Sequence, residues 1–174
     1  MVAVLFALYV FSWLDRLILS MLVTPVKLDL GLSDVQMSMI TSTSFAASYA
    51  LLGMPLGWAA DRWPRRWIIF GGALFWAAAT IACGFATTYA ELLIARICVG
   101  AGEAALLPAA YSLIADGFPQ RLLTRATSTF QMAGKVGSAT AFGLGGLAIA
   151  WATARAGLDI PFHGPTEPWQ MVLM

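Results

Sequence analysis

The chain reads as long apolar blocks separated by short polar ones. Residues 35–60 carry no charge over 26 positions, 67–90 none over 24, and 136–154 none over 19. A helix of about 20 apolar residues crosses a hydrocarbon core of about 30 Å. With no water to satisfy exposed amides, only helices or closed barrels span it. Barrel strands alternate apolar and polar residues, and the block from Trp67 to Ala79 does not. The blocks are therefore predicted to be helices. Five spans are expected at about residues 2–26, 35–60, 67–86, 92–115 and 126–154, with a sixth opening near Pro168 after a polar, proline-rich loop. Asp15 and Arg16 interrupt the first span at its middle.

Composition agrees with that pattern. Hydrophobic residues make up 60% of the 174 positions and charged residues 11%, against about 25% charged in a soluble domain. Ten basic and nine acidic residues give a net charge of +1, which excludes a nucleic-acid partner on bulk charge. Cys83 and Cys98 lie in apolar stretches and read as small buried hydrophobes. His163 stands among Pro161, Gly164 and Pro165 and reads as a loop residue. No metal or cofactor is expected. The first apolar run starts at once, without a basic leader, and meets Asp15-Arg16 where a signal peptide would carry small residues. It is read as a span, and the natural start is expected further upstream.

The loops orient the chain. Arg62, Arg65, Arg66, Arg121 and Arg125 lie in the links after the second and fourth spans, while Lys27 and Arg155 lie in the opposite loops. The positive-inside rule places the arginine-rich loops and the N-terminus in the cytoplasm, in a plasma or inner membrane. Small residues punctuate the spans: Gly53 and Gly57 in the second, Gly100 and Gly102 in the fourth, Gly134, Gly137 and Gly143 in the fifth. Such spacing lets helix backbones approach closely, and packing within one bundle is the preferred reading.

Five ionisable residues fall inside the predicted spans: Asp15, Arg16, Arg96, Glu103 and Lys135. A charge at a helix centre costs about 2.5–3.5 kcal/mol even on lenient insertion scales, so such groups pair inside the bundle or line a cavity. Arg96, Gly100 and Glu103 share one helical face. Asp15 and Arg16 are adjacent, about 100° apart on a helix, and need different partners. The expected pairs are Arg16 with Glu103, and Asp15 with Arg96 or Lys135. A static structural role remains the alternative.

Two strings carry a family resemblance. Gly57-Trp58-Ala59-Ala60-Asp61-Arg62-Trp63-Pro64-Arg65-Arg66 resembles the G-x-x-x-D-R-x-G-R-R signature of major facilitator superfamily transporters, with Pro64 in place of the usual glycine. Arg96-Ile97-Cys98-Val99-Gly100-Ala101-Gly102 resembles that superfamily's fourth-helix R-x-x-x-G-x-G pattern. Glu103, Pro108, Ser112 to Asp116, Asp15-Arg16 and Phe75-Trp76 are similar to the Spinster-like branch. Gly100 to Ala105 also satisfies G-x-G-x-x-A, but a dinucleotide fingerprint needs strand–helix alternation and an acid about 20 residues on. The flanking segments here are of membrane length.

The resemblance implies an all-α membrane protein, the N-terminal six-helix bundle of a major facilitator fold, with the C-terminal bundle missing from this chain. It implies a secondary active transporter, not an enzyme, of a small or amphipathic solute that is anionic or lipid-like. Movement would be proton-coupled and by alternating access. The partners implied are that solute, protons, membrane lipid and the absent half. Asp15 and Glu103 are the candidate proton carriers, and Asp61, Arg62, Arg65 and Arg66 form a charged latch. Lys135 would meet an anionic head group or neutralise Glu103. The competing functions are a membrane-embedded oligomerisation module and an intramembrane enzyme. The latter would want a histidine or clustered aspartates on a span.

Overall fold

The computed structural model describes residues 1–154, the backbone of 159–160 and 164–165, and residues 167–173. His163 and Arg155 lie outside the described residues. Helix α1 (Val2–Met21) runs unbroken through Asp15 and Arg16. It yields at Leu22 (φ −90°, ψ 4°), where the short α2 (Val23–Asp29) begins. Pro25 explains the position of the break, because a proline ring clashes with the carbonyl four residues before it, here that of Met21. In the first turn of a new helix the missing N–H is no loss. The first span is therefore a rod with a hinged outer turn.

The same rule divides the fourth span. Helix α6 (Tyr89–Glu103) starts at a capping box made by Thr88 and Glu91. It stops at Ala104-Ala105, and α7 (Leu106–Gly117) follows. Pro108 is four residues after Ala104, so the break falls directly behind Glu103. The second expected span departs most from a simple rod. A capping box at Ser33 and Gln36 opens α3 (Asp34–Ser38), a π-helical turn occupies Met39–Thr43, and α4 (Ser44–Arg62) continues. Thr41 and Ser44 hydroxyls donate to the carbonyls of Met37 (2.9 Å) and Ile40 (3.3 Å). Such back-bonding competes with the α-helical ladder.

Helix α5 (Arg65–Gly84) follows a tight turn in which Pro64 is the N-cap at φ −59° and Trp63 is extended. Proline favours an extended predecessor, so the turn closes without positive φ and Pro64 is accommodated. Helix α8 (Gln120–Thr153) has 34 residues, about 50 Å at 1.5 Å per residue. It begins six residues earlier than expected from apolarity alone. Strands β1 (Asp159–Ile160) and β2 (Gly164–Pro165) pair antiparallel in the polar loop, and α9 (Pro168–Leu173) closes the described chain.

The architecture is all-helical, with that single two-residue hairpin. Among the described residues, four helical stretches are long and apolar enough to cross a membrane: Val2–Met21, Arg65–Gly84, Tyr89–Gly117 and Gln120–Thr153. The stretch from Asp34 to Arg62, interrupted by a π turn, falls short of that apolarity. Four of the five expected spans meet this measure of length and apolarity.

Helix α1 packs on α8, α5 on α6 and α7, and α4 on α6. Val26, Ile40, Leu92, Val99, Ala109, Phe130 and Ala133 are fully buried between them. Large apolar side chains such as Leu51, Met54, Phe70, Leu74 and Leu147 point outward, as expected where lipid replaces water. The glycines divide. A Cβ on Gly102 would lie 2.7 Å from Trp76 Cβ, one on Gly137 2.7 Å from Trp13 Cβ, and one on Gly134 2.9 Å from Trp13 Nε1. On Gly100 it would meet Ser48 Oγ. Gly53 and Gly143 face open space, so a packing role inside the bundle is not theirs. Gly57 makes only ordinary contact with Pro108.

Candidate functional site

The seam between α1 and α6 holds most of the intramembrane charge. Ser12, Asp15 and Arg16 project from α1, and Arg96 and Glu103 from one face of α6, two turns apart. Arg16 donates to Glu103 Oε2 through Nε (2.8 Å) and Nη2 (2.5 Å). Ser12, one turn before Arg16 on the same face, donates its hydroxyl to the same oxygen at 2.7 Å. Glu103 is 1% exposed, and its second oxygen, Oε1, is buried with no hydrogen-bond partner among the described residues.

The second pair lies beside it. Arg96 Nη1 donates to Asp15 Oδ2 at 3.3 Å, and Thr80 from α5 donates its hydroxyl to Asp15 Oδ1 at 3.1 Å. The Arg96 and Asp15 side chains are 2% and 9% exposed. Arg96 Nε is buried and unpartnered. Phe45, two residues after the π turn, faces both guanidinium groups: Arg16 Cζ is 4.6 Å from its ring centre and Arg96 Cζ 5.8 Å. Tyr49 (5.3 Å) and Trp13 (5.8 Å) complete an aromatic surround for Arg16. Cation–π contacts strengthen when desolvated, so the rings hold Arg16 in place. Arg16 nonetheless keeps 27% of its side chain exposed.

Lys135 is not part of this cluster. It is exposed on α8 and makes no ion pair among the described residues. Asp15 takes Arg96, not Lys135, because α6 presents Arg96 to α1 while α8 meets α1 with Gly134 and Gly137. Lys135 lies one turn beyond Gln131 on the exposed face of α8, and Gln131 Nε2 contacts the Tyr111 hydroxyl of α7.

The charged turn between α4 and α5 is a separate feature. Arg65 Nη1 pairs with Asp116 at the end of α7, and its Nε donates to the Ala60 carbonyl at 3.2 Å. Arg62 lies over the Trp58 ring at 4.0 Å. Asp61 and Arg66 are exposed. At the opposite end, Trp169 Nε1 donates to Asp29 (2.9 Å) and Gln170 to the Ala86 carbonyl (3.2 Å), which ties α9 to α2 and α5.

Phe45, Ser12 and Thr80 were not legible as site residues. Ser12 alone carried a signal, the i, i+4 spacing to Arg16. No group of three or more metal-ligating side chains exists among the described residues.

The sequence profile of the Major Facilitator Superfamily covers residues 5–164. The chain belongs to the Major Facilitator Superfamily. Within it the chain is Spinster-like. It is 31% identical over 158 residues to protein spinster homolog 1 of Xenopus tropicalis, covering 90% of this chain and 29% of that protein. It is 33% identical over 111 residues to an MFS-type efflux pump of Mycolicibacterium smegmatis, covering 63% of this chain and 26% of the pump. The structure superposes with a TM-score of 0.90 on a bacterial homologue of the human lysosomal transporter Spinster, solved inward-facing and occupied. That match is 29% identical and covers 99% of this chain and 39% of the other. The chain thus spans roughly a quarter to two fifths of the proteins it matches. It is an integral, multi-pass membrane protein of a family of transporters, not enzymes.

Proposed function

We propose that this chain is the N-terminal bundle of a secondary transporter that moves a small or amphipathic organic anion by alternating access, coupled to protons. A second bundle facing the α1–α6 seam would complete the cavity, since transporter sites lie near mid-membrane between two rocking bundles. The observation that carries the reading is the Arg16–Glu103 pair, a buried carboxylate held by a guanidinium that is itself 27% exposed. Relatives named as an efflux pump and as Spinster homologues support it.

The proposed mechanism uses exchange of partners. Burial raises a carboxylate's proton affinity and an adjacent cation lowers it. An anionic solute that competes for Arg16 draws the guanidinium from Glu103, which then takes a proton. Asp15, held by Arg96 and Thr80, responds in the same sense when α1 moves against α6. Lys135, on the exposed face of α8, adds attraction for the anionic group. The Arg65–Asp116 pair fastens the α4–α5 turn to α7, leaving Asp61 to latch against the second bundle on the cytoplasmic side, where the N-terminus also lies. The family match gives no support to the scaffold or enzyme alternatives.

Uptake by the full-length protein in proteoliposomes with an imposed pH gradient tests the proposal. Asp15→Asn and Glu103→Gln are each expected to abolish the gradient's acceleration of uptake while leaving solute exchange measurable. Proton-driven uptake unchanged in both variants overturns the proton role.

A further inference from the structure

The start of α5 breaks an electrostatic rule. A helix N-terminus carries a partial positive charge and favours acidic residues, yet the first turn of α5 has none, its N-cap is Pro64 without a side-chain cap bond, and Arg65 and Arg66 occupy the first two positions. Asp116 neutralises Arg65. Arg62 and Arg66 have no ion-pair partner among the described residues. Counting Asp61 as well, the turn holds three arginines against two carboxylates; Arg66 sits at the positive end of α5, while Arg62 ends α4 and lies over Trp58.

Two apolar grooves run from this turn along either side of α5. One, of about 470 Å³, is lined by Trp63, Trp67, Gly71 and Gly72 with Ala105 across from them. The other, of about 450 Å³, starts under Arg66 and runs past Ile69, Phe70 and Leu113. An exposed ridge of Trp67, Phe70 and Leu74 separates them, with Trp67 and Phe70 in edge contact at 6.0 Å. Trp58, Trp63 and Trp67 are all more than half exposed around the turn, and tryptophan prefers the level of lipid head groups.

We infer that this turn binds an anionic phospholipid, its phosphate held by Arg66 at the start of α5 and Arg62 at the end of α4, and its two acyl chains lying in the grooves that straddle the Trp67–Phe70–Leu74 ridge. Charge complementarity selects the occupant. The surface offers cations at the head-group level and apolar channels below it, which is the polarity of a two-chain anionic amphiphile. A peptide would find too few polar partners along the grooves, and a zwitterionic lipid would not relieve the unpaired positive charge. The inference depends on the chain being membrane-embedded and not on the transport reading, and its test reads binding alone.

The test is native mass spectrometry of the full-length protein after incubation with equimolar phosphatidylglycerol and phosphatidylcholine in detergent. The wild type is expected to retain phosphatidylglycerol in preference, by about fivefold for each unpaired arginine engaged. The double variant Arg62→Gln/Arg66→Gln should lose that preference, and Arg121→Gln/Arg125→Gln, outside the grooves, should keep it. Gly71→Leu supplies a second blow that spares the fold, because a Cβ at Gly71 meets nothing within 4 Å. It should fill one groove and lower retention with an unchanged unfolding temperature. Equal retention of the two lipids by the wild type overturns the inference. So does retention insensitive to both the double variant and Gly71→Leu, or the appearance of a dimer mass that Gly71→Leu removes, which would assign the grooves to a second copy.

Discussion

Helix α1 has two seams of opposite character. Against α8 it meets glycine and small apolar residues: Gly134 and Gly137 accept the Trp13 side chain at near-contact, Ala133 and Ala141 are fully buried, and Tyr9 stacks on Phe130 at 4.9 Å. Against α6 it meets charge, with Arg16 on Glu103 and Asp15 on Arg96. Close packing of small residues has one good arrangement, because interiors tolerate little displacement before contacts are lost. Ion pairs can change partners when a competing charge arrives, because each ion's protonation and pairing depend on its neighbours. One helix is therefore clamped on one side and adjustable on the other. That combination suits a bundle that must move as a unit while its inner surface changes partners.

The largest effect is expected from leaving a buried charge alone. Arg16→Met strands the Glu103 carboxylate, and breaking a buried pair from one side costs about 3–5 kcal/mol. A fall of that size should appear in chemical unfolding of the protein in detergent. The double variant Arg16→Met/Glu103→Leu should recover most of it, since replacing both partners with apolar groups is often near neutral. A double variant as unstable as the single would mean that the seam depends on the pair for packing, and the contrast with α8 would fail.

The packed seam should respond next. Gly137→Ala puts a methyl 2.7 Å from Trp13 Cβ and 2.9 Å from the Val10 carbonyl oxygen. Overpacking of this kind costs about 1–3 kcal/mol. Unfolding should be easier while the pH dependence of uptake keeps its midpoint, because no titrating group is touched. A shifted midpoint would show that the two seams are not separable. The smallest effect sharpens the same contrast. Gly53→Ala enters open space and should change stability by no more than about 0.5 kcal/mol. A larger loss would mean that Gly53 packs against something in the complete protein.

The mixture of what was legible and what was not follows from how each signal is written. Arg96 and Glu103 could be put on one face because helical periodicity is local. Arg16 could be matched with Glu103 because a buried acid on one span needs a base on another. Lys135 carried the same charge at a similar depth, and nothing local distinguished it from Arg96 as Asp15's partner. Gly53 looked like Gly137 for the same reason: both stand in small-residue patterns, and only the neighbouring helix decides which is filled. The π turn at Met39–Thr43 and the role of Phe45 depend on three helices at once.

Some properties are local sums, so they could be read along the chain. Membrane residence follows from uninterrupted apolar length, and the helical class from amides that need internal partners. Other properties are relations between distant residues. Which cation meets which carboxylate, and which glycine touches a tryptophan, were set by helix rotation and crossing. Those are fixed by the packing of all the helices together, and no window of sequence contains them.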